Sequence, residues 1–299
     1  GIIFIGIPSG GIAGGLLASW LIPSYGWSSL FIVGGILPII LLPVLMIFLP
    51  ESPRFLSGKK DSQNKVRALA EKIESKLTIT TDTSFTVEDS FEKNHFPVSE
   101  LFQQGRTRDS LLLWLAFFSN LMVIYFLYSW IPTLLVDAGY GLTNATRTTV
   151  IMNIGGAIGP LILAWFVVRK GSRKVLTFCF LAGASSLIFI GQAASSLMLI
   201  MLGSFFAGAF IIGGQVSLNA LASFIYPTHI RSTGVGWALG IGRIGSIMGP
   251  ILAGQLILLN LGMANYFFVF GLVLFVTSLS TLLIRNQQQA TGKAGNSSN

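Results

Sequence analysis

Eight long apolar runs limit what this chain can fold into. They cover residues 1–22, 28–49, 110–135, 146–168, 174–194, 197–223, 232–258 and 264–284. About 20 apolar residues are enough for an α-helix to cross the hydrocarbon core of a bilayer, and each run has at least that length. Only 10% of the residues are charged, against about 25% in an ordinary soluble domain. The pattern predicts an all-α membrane protein with eight transmembrane helices.

The positive charge is concentrated between particular runs. Ten of the 19 Lys and Arg residues lie between Arg54 and Arg108, and four more form the cluster Arg169, Lys170, Arg173 and Lys174. Cytoplasmic loops carry such an excess of Lys and Arg, which orients membrane helices. This placement accounts for the net charge of +8 without a nucleic-acid partner. We therefore expect a multi-pass protein of the plasma (inner) membrane, with the lipid bilayer as its surroundings.

The charge pattern also predicts the topology and the domains. Two runs, within residues 1–49, precede a cytoplasmic loop at 50–109, and six runs follow it within 110–285. A polar tail covers 286–299, and an even number of spans places both chain ends in the cytoplasm. Because the chain begins inside an apolar run, with two runs before the loop and six after it, we expect four further helices to precede it.

The seventh run, GVGWALGIGRIGSIMGP (234–250), combines small residues with one full charge. Glycine or alanine recurs at spacings of 4, 4, 3 and 4, at Gly234, Ala238, Gly242, Gly245 and Gly249. Such residues share a helix face and let a neighbouring helix approach closely. The charge belongs to Arg243, and a guanidinium at that depth costs about 3 kcal/mol. We expect Arg243 to face a bundle interior or a wet cavity, where it either binds substrate or ties neighbouring carbonyl groups together.

Other polar side chains within the runs are candidates for binding a substrate. Gln215 and Asn219 are four residues apart, on one face of the sixth run. In the third run Tyr125 lies about 140° from Asn120 around the helix, and Asn153 lies in the fourth run. The alternative is that these groups only bond one helix to another, at about 0.6 kcal/mol each.

The sequence contains no pattern that is typical of an enzyme. It has no metal-ligand spacing of His, Cys, Asp and Glu, no nucleophile with a base and no phosphate loop, and its single cysteine excludes a disulfide. We expect no catalytic residue, no metal and no cofactor other than a proton as coupling ion. None of the predicted spans holds a carboxylate, so the proton-binding residue is not assigned.

Several motifs together resemble the aromatic acid:proton symporters of the major facilitator superfamily. They are WLIPSYGW (20–27), GGILP (34–38), LPESPRFL (49–56), FFSNLMVIYFLYSWIPT (117–133) and YPTHIRSTGVGWALGIGRIGSIMGP (226–250). The resemblance covers helices five to twelve of the twelve in that family. It implies the major facilitator fold, and it implies import of aromatic carboxylates such as hydroxybenzoates by proton symport through alternating access. We also expect the full-length protein to be monomeric.

The resemblance extends to residues expected in packing or gating. Arg231 occupies a family position in YPTHIR, although it is equally explained as a positively charged anchor on the inner side. In AWFVVRKGSRK (164–174), Arg169 and Gly171 of the superfamily's loop motif remain. Ala164 and Val168 replace its leading glycine and its aspartate, which argues against a gating salt bridge here.

Two other functions stay open from the sequence. One is a carrier for another organic anion or metabolite, similar to the sugar porters, which share a PESPR-like sequence. The other is a membrane protein that does not transport, either a sensor or a truncated product.

Overall fold

The structure, a computed structural model, describes residues 6–48, 97–193, 195–227 and 230–285. The helices in these ranges are α1 (Gly6–Tyr25), α2 (Ser28–Phe48), α3 (Pro97–Glu100), α4 (Thr107–Asp137), α5 (Leu142–Lys170), α6 (Ser172–Gln192), α7 (Leu197–Ile225), α8 (Arg231–Leu258) and α9 (Met263–Leu283). Turns connect them, and no strand occurs within these ranges. Most of the predicted loop at 50–109 and the whole tail at 286–299 lie outside the described residues.

Seven of these helices are long and apolar enough to cross a membrane, namely α2 and α4–α9. They correspond to the second to eighth predicted runs, and they confirm a multi-pass, all-α membrane protein. The described part of the first run forms a 20-residue helix, α1, but it falls short of the apolarity of the other seven. Five of its residues are glycine and two are proline, so fewer large apolar side chains remain.

The chain divides into two compact units. In the described residues, one unit contains 6–23 and 97–285, and the other contains 24–48. The second unit includes α2, which continues through Pro38 and Pro43 without a break. Proline is tolerated in membrane helices because neighbouring groups can satisfy the freed backbone carbonyls. The domain boundaries expected from the sequence stay predictions.

Helix α4 is the centre of the larger unit. It packs against α5, α7, α8 and α9, and its side chains form much of the buried core. Phe126 of α4 stacks on Phe270 of α9, with ring centroids 3.7 Å apart and planes within 4°. Because α4 contacts four helices, polar side chains on its different faces can meet partners on different neighbours.

Small residues allow the backbones of paired helices to touch. A Cβ atom added at Gly245 or Gly249 of α8 would overlap the carbonyl oxygen of Phe118 or Met122 on α4. In the same way, a Cβ at Gly155 of α5 would overlap the carbonyl of Phe205 on α7. The absence of side chains at these positions is therefore what permits the observed interhelical distances.

Helix α7 contains one wider turn. Residues Gly208–Ile212 form a π-helical turn between the segments Leu197–Ala207 and Gly213–Ile225. Such turns are rare and occur frequently at functional sites. In this helix the turn is followed within one helical turn by Gln215, one of the polar residues singled out from the sequence.

Candidate functional site

The charge in the middle of α8 has a neutral partner. The described residues leave the side chain of Arg243 exposed, and its Nη1 donates a hydrogen bond of 2.7 Å to the hydroxyl of Tyr125 on α4. Among the described residues, no carboxylate lies within salt-bridge distance of this guanidinium, and no other hydrogen bond from it is present. Arg243 lies about 18 Å along α8 from Arg231, which is more than half of the hydrocarbon thickness. The guanidinium therefore has further N–H donors that no described residue engages.

A chain of three amides joins α4 to α7. Asn120 Nδ2 donates to Gln215 Oε1 at 2.8 Å, and Gln215 Nε2 donates to Asn219 Oδ1 at 3.2 Å. Asn120 Nδ2 also lies 3.4 Å from the carbonyl of Ile211, inside the π-helical turn. Asn120 is fully buried, whereas Gln215 and Asn219 are half-buried. The chain therefore leads from the core of the bundle to half-buried positions on α7.

A second tyrosine of α4 bonds to a third helix. The hydroxyl of Tyr128 donates to Asn153 Oδ1 on α5 at 2.8 Å, and Asn153 Nδ2 donates to the carbonyl of Thr149 at 2.9 Å. A Cβ atom placed on Gly11 of α1 would lie 2.6 Å from the same Oδ1. Asn153 is buried and both ends of its amide are engaged, so its role in this arrangement is to fix α5 to α4.

These polar contacts converge on α4 from three sides. Tyr125 contacts α8, Tyr128 contacts α5 and Asn120 contacts α7, and the three residues span about 12 Å along the axis of α4. The structure thus brings five of the six predicted binding residues into two hydrogen-bonded groups, Arg243 with Tyr125 and Asn120 with Gln215 and Asn219. It places the sixth, Asn153, with Tyr128, a residue that the sequence analysis did not count among the candidates.

The glycines expected in helix packing differ in what they contact. Gly242, Gly245 and Gly249 face α4, where a Cβ at Gly242 would lie 2.5 Å from the side chain of Leu121. Gly234, by contrast, lies against the ring of Tyr226, which is beyond the end of α7. The stripe on α8 therefore serves the α4 contact over its central part, while Gly234 makes room for an aromatic residue of the preceding turn.

The basic residues expected in gating lie at helix ends. Arg231 begins α8, and its Nε donates to the carbonyl of Tyr226 at 3.4 Å. Arg169 lies over the ring of Trp165, 3.8 Å from the ring centroid, in a cation–π contact. Gly171 links α5 to α6 with φ of +82°, a conformation that favours glycine. None of the three lies in the polar groups around α4.

The sequence analysis missed a buried carboxylate. Because α4 begins at Thr107 rather than at 110, Asp109 lies in its first turn. Its side chain is buried, and its Oδ1 accepts a hydrogen bond of 3.1 Å from the backbone N–H of Arg285, just after α9. A carboxylate in the first turn of a helix also interacts favourably with the helix dipole. The position of Asp109 directly before an apolar run was the signal that could have identified it.

The described part of the chain contains no group of three or more His, Cys, Asp and Glu residues that could hold a metal ion. The polar side chains that meet around α4 are one guanidinium, two phenols and four amides.

A comparison of sequences gives the family. The sequence model of the Major Facilitator Superfamily matches residues 1–170 and again 148–298, which together are nearly the whole chain. The protein belongs to the major facilitator superfamily.

This major facilitator protein is similar to several characterised transporters. It is 36% identical over 281 residues to the gallate transporter of Pseudomonas putida. It is 36% identical over 261 residues to the benzoate transport protein of Acinetobacter baylyi. It is 35% identical over 260 residues to the 4-hydroxybenzoate transporter PcaK of the same organism. The names of the family and of these relatives are those of transporters and not of enzymes.

The alignments cover most of this chain and a smaller part of each relative. They include 94%, 87% and 85% of the major facilitator protein described here. The same alignments span 62%, 55% and 56% of the length of the three relatives.

Proposed function

We propose that the protein is a secondary carrier that imports aromatic carboxylates, such as hydroxybenzoates, by proton symport through alternating access. The observation that carries the proposal is the contact between Arg243 and Tyr125. A guanidinium within a membrane span is costly to maintain and is usually found where it lines a pathway. Here it is exposed and has a neutral partner among the described residues, so its charge is available to a substrate carboxylate.

A carboxylate suits this cation better than other ligands do. The planar guanidinium can donate two parallel hydrogen bonds to the two oxygens of a carboxylate. The hydroxyl of Tyr125, 2.7 Å from Nη1, would keep the guanidinium oriented while the remaining donors engage the substrate. The half-buried amides of Gln215 and Asn219 are available for further polar groups of the ligand.

The aromatic part of the proposal is supported by the relatives. The gallate, benzoate and 4-hydroxybenzoate named in three of them are aromatic rings that carry one carboxylate. A site with one exposed arginine and neighbouring tyrosines has the complementary chemistry. Proton coupling is supported by the resemblance to the aromatic acid:proton symporters. In the described helices, carboxylates lie only near the ends of α3 and α4 (Glu100, Asp109 and Asp137).

The proposal includes a location and an arrangement. The protein would lie in the inner (plasma) membrane as a monomer, with the basic turn between α5 and α6 and both ends in the cytoplasm. Helices α4–α9 would form one half of the carrier and rock against the other half during transport. Many secondary transporters are built from two such halves, which are internal structural repeats of each other.

Uptake of labelled 4-hydroxybenzoate into cells that express the intact protein tests this function. We expect accumulation that an uncoupler abolishes and that Arg243→Gln reduces to background. Accumulation that persists with an uncoupler would contradict proton symport, and equal uptake by cells with and without the protein would contradict transport of this acid.

A further inference from the structure

An apolar groove lies on α8 beside Arg243. It has a volume of about 330 Å³ and is lined by Gly236, Trp237, Gly240, Ile241 and Ile244. This volume is at the lower end of the range for small-molecule sites, about 300–1,000 Å³. A groove of this size and composition can hold one ring, and its lining offers no charged group.

Two glycines in the groove do not pack against a neighbouring helix within the described residues. A Cβ atom added at Gly236 or Gly240 would meet nothing within 4 Å there, whereas a Cβ at Gly245 on the opposite side of α8 would overlap a carbonyl oxygen. The first two glycines therefore leave open space along the helix surface. Gly236 is on the same side of α8 as Arg243, within about 20° of it around the helix and about 10.5 Å from it along the axis.

One wall of the groove is an indole held in a fixed orientation. Trp237 stacks on Trp114 of α4, with ring centroids 5.7 Å apart and planes within 20°. Trp114 is itself held by an edge-to-face contact with Phe102, at 5.4 Å. Trp237 nevertheless keeps 43% of its surface exposed. A ring that is fixed on one side and exposed elsewhere is suited to pack against a second aromatic ring.

The charge of Arg243 favours an anionic ligand over lipid as the occupant of the groove. A guanidinium facing hydrocarbon would cost about 3 kcal/mol, and Gly236 shares its side of α8. Gly240 lies about 4.5 Å along the axis from Arg243, so a ring over Gly240 would bring an attached carboxylate to the guanidinium. The charge at one end and the apolar lining below it complement the two parts of an aromatic carboxylate.

We propose that this groove is the ring-binding subsite for the carboxylate that Arg243 holds, with Trp237 as the stacking surface and Gly240 as the residue that sets the width. This inference rests on the proposed function and adds the position and the selectivity of the site. The lining favours an apolar ring over a polyhydroxylated sugar, since the indole N–H of Trp237 is the one polar side-chain group among its lining residues, too few to replace the hydration of several sugar hydroxyls.

Binding of benzoate to the purified intact protein tests the subsite. Gly240→Leu fills the groove, and Trp237→Ala removes the stacking surface, so we expect each to weaken benzoate binding by about tenfold or more. Trp237→Phe keeps a ring and should recover most of the affinity. Leu239→Ala, at an exposed position of α8 outside the groove, is the matched control and should bind as the wild type does. Thermal unfolding of each variant, together with the milder Gly240→Ala, identifies any loss that comes from misfolding.

The comparison with Arg243→Gln separates this inference from the proposed function. If Arg243→Gln loses benzoate binding while folded Gly240→Leu and Trp237→Ala retain it, the groove is not the ring subsite and the carrier function stands. If benzoate does not bind the wild type, the proposed function itself is wrong. Reconstitution with brominated lipids adds a direct test: quenching of tryptophan emission that disappears in Trp237→Phe would show that the groove faces acyl chains, and would overturn the inference.

Discussion

The hydroxyl of Tyr125 lies 2.7 Å from Nη1 of Arg243, which joins the centre of α4 to the only arginine in the middle of α8. The two residues are 118 positions apart in the chain, and they meet because Gly242, Gly245 and Gly249 bring the backbone of α8 against α4. The packing stripe and the charged site are therefore parts of one arrangement: the glycines set the distance across which the phenol reaches the guanidinium.

Removing the phenol should weaken substrate binding without unfolding the protein. Tyr125→Phe deletes the hydrogen bond that orients the guanidinium, so benzoate affinity should fall by at most the energy of one hydrogen bond to a charged group, about 1.5–3 kcal/mol or about one to two decades in Kd. Isothermal titration with benzoate measures the change. Tyr266→Phe on α9 removes the hydroxyl of another buried tyrosine and is the matched control. Equal affinities for the two variants would show that Tyr125 does not orient Arg243.

The close-packed glycines should govern the stability of the α4–α8 pair. Gly245→Ala and Gly249→Ala each force a methyl group against a carbonyl oxygen of α4, and overpacking of this kind costs about 1–3 kcal/mol. We expect a lower Tm in detergent for both variants. Gly240→Ala, where the added methyl meets nothing within 4 Å of the described residues, should keep the wild-type Tm. A similar loss for all three would mean that helix propensity, rather than contact with α4, decides the effect.

The two ends of the amide chain should differ in role: Asn120 should contribute to stability, and Asn219 should contribute to ligand binding. Asn120→Leu leaves Gln215 without its partner in the core, so it should lower the Tm, at a cost of about 1–3 kcal/mol. Asn219→Leu changes a half-buried residue at the other end, and it should weaken binding of 4-hydroxybenzoate with little change in Tm. The reverse pattern, in which Asn219→Leu unfolds the protein and Asn120→Leu only affects binding, would contradict this division.

The orientation in the membrane can be read from two turns. In a variant with Cys179→Ala, a cysteine at Ala138, between α4 and α5, should react with an impermeant thiol reagent added to intact cells. A cysteine at Ser172, beside the basic cluster, should react only after the membrane is permeabilised, because Lys and Arg mark the cytoplasmic side. Reaction of Ser172→Cys in intact cells, with Ala138→Cys protected, would invert the topology.

Much of the fold follows from the sequence, because a membrane span needs a long apolar run and little else. The runs predict α2 and α4–α9, and they miss the ends of α4 since Thr107 and Asp137 are polar. Spacing along one helix also places Gln215 and Asn219 on a shared face. It does not reveal which neighbouring helix each side chain meets, and so Tyr128 and its bond to Asn153 were not among the candidates.

The groove beside Arg243 could not be predicted from the sequence either. Gly236 and Gly240 are in the same run as Gly242 and Gly245, but they lie outside the small-residue stripe, and the pattern alone gives them no role. Only the positions of the neighbouring helices show that Gly245 touches α4 and that Gly240 faces open space within the described residues. The same reason applies to Trp237, whose stacking partner Trp114 is far away in the sequence.

The central claim is that Arg243 binds the carboxylate of the substrate, and comparing Arg243→Lys with Arg243→Gln in the intact protein tests it most directly. The measurement is the Kd of benzoate and of its neutral amide analogue, benzamide, for each variant at matched folding. If the planar guanidinium binds the carboxylate through two parallel hydrogen bonds, Arg243→Lys should lose nearly as much benzoate affinity as Arg243→Gln, about one to two decades in Kd. Benzamide binding should change little in either variant. Recovery of benzoate binding by lysine, or equal losses for benzoate and benzamide, would show that Arg243 holds the helices together and does not bind the substrate.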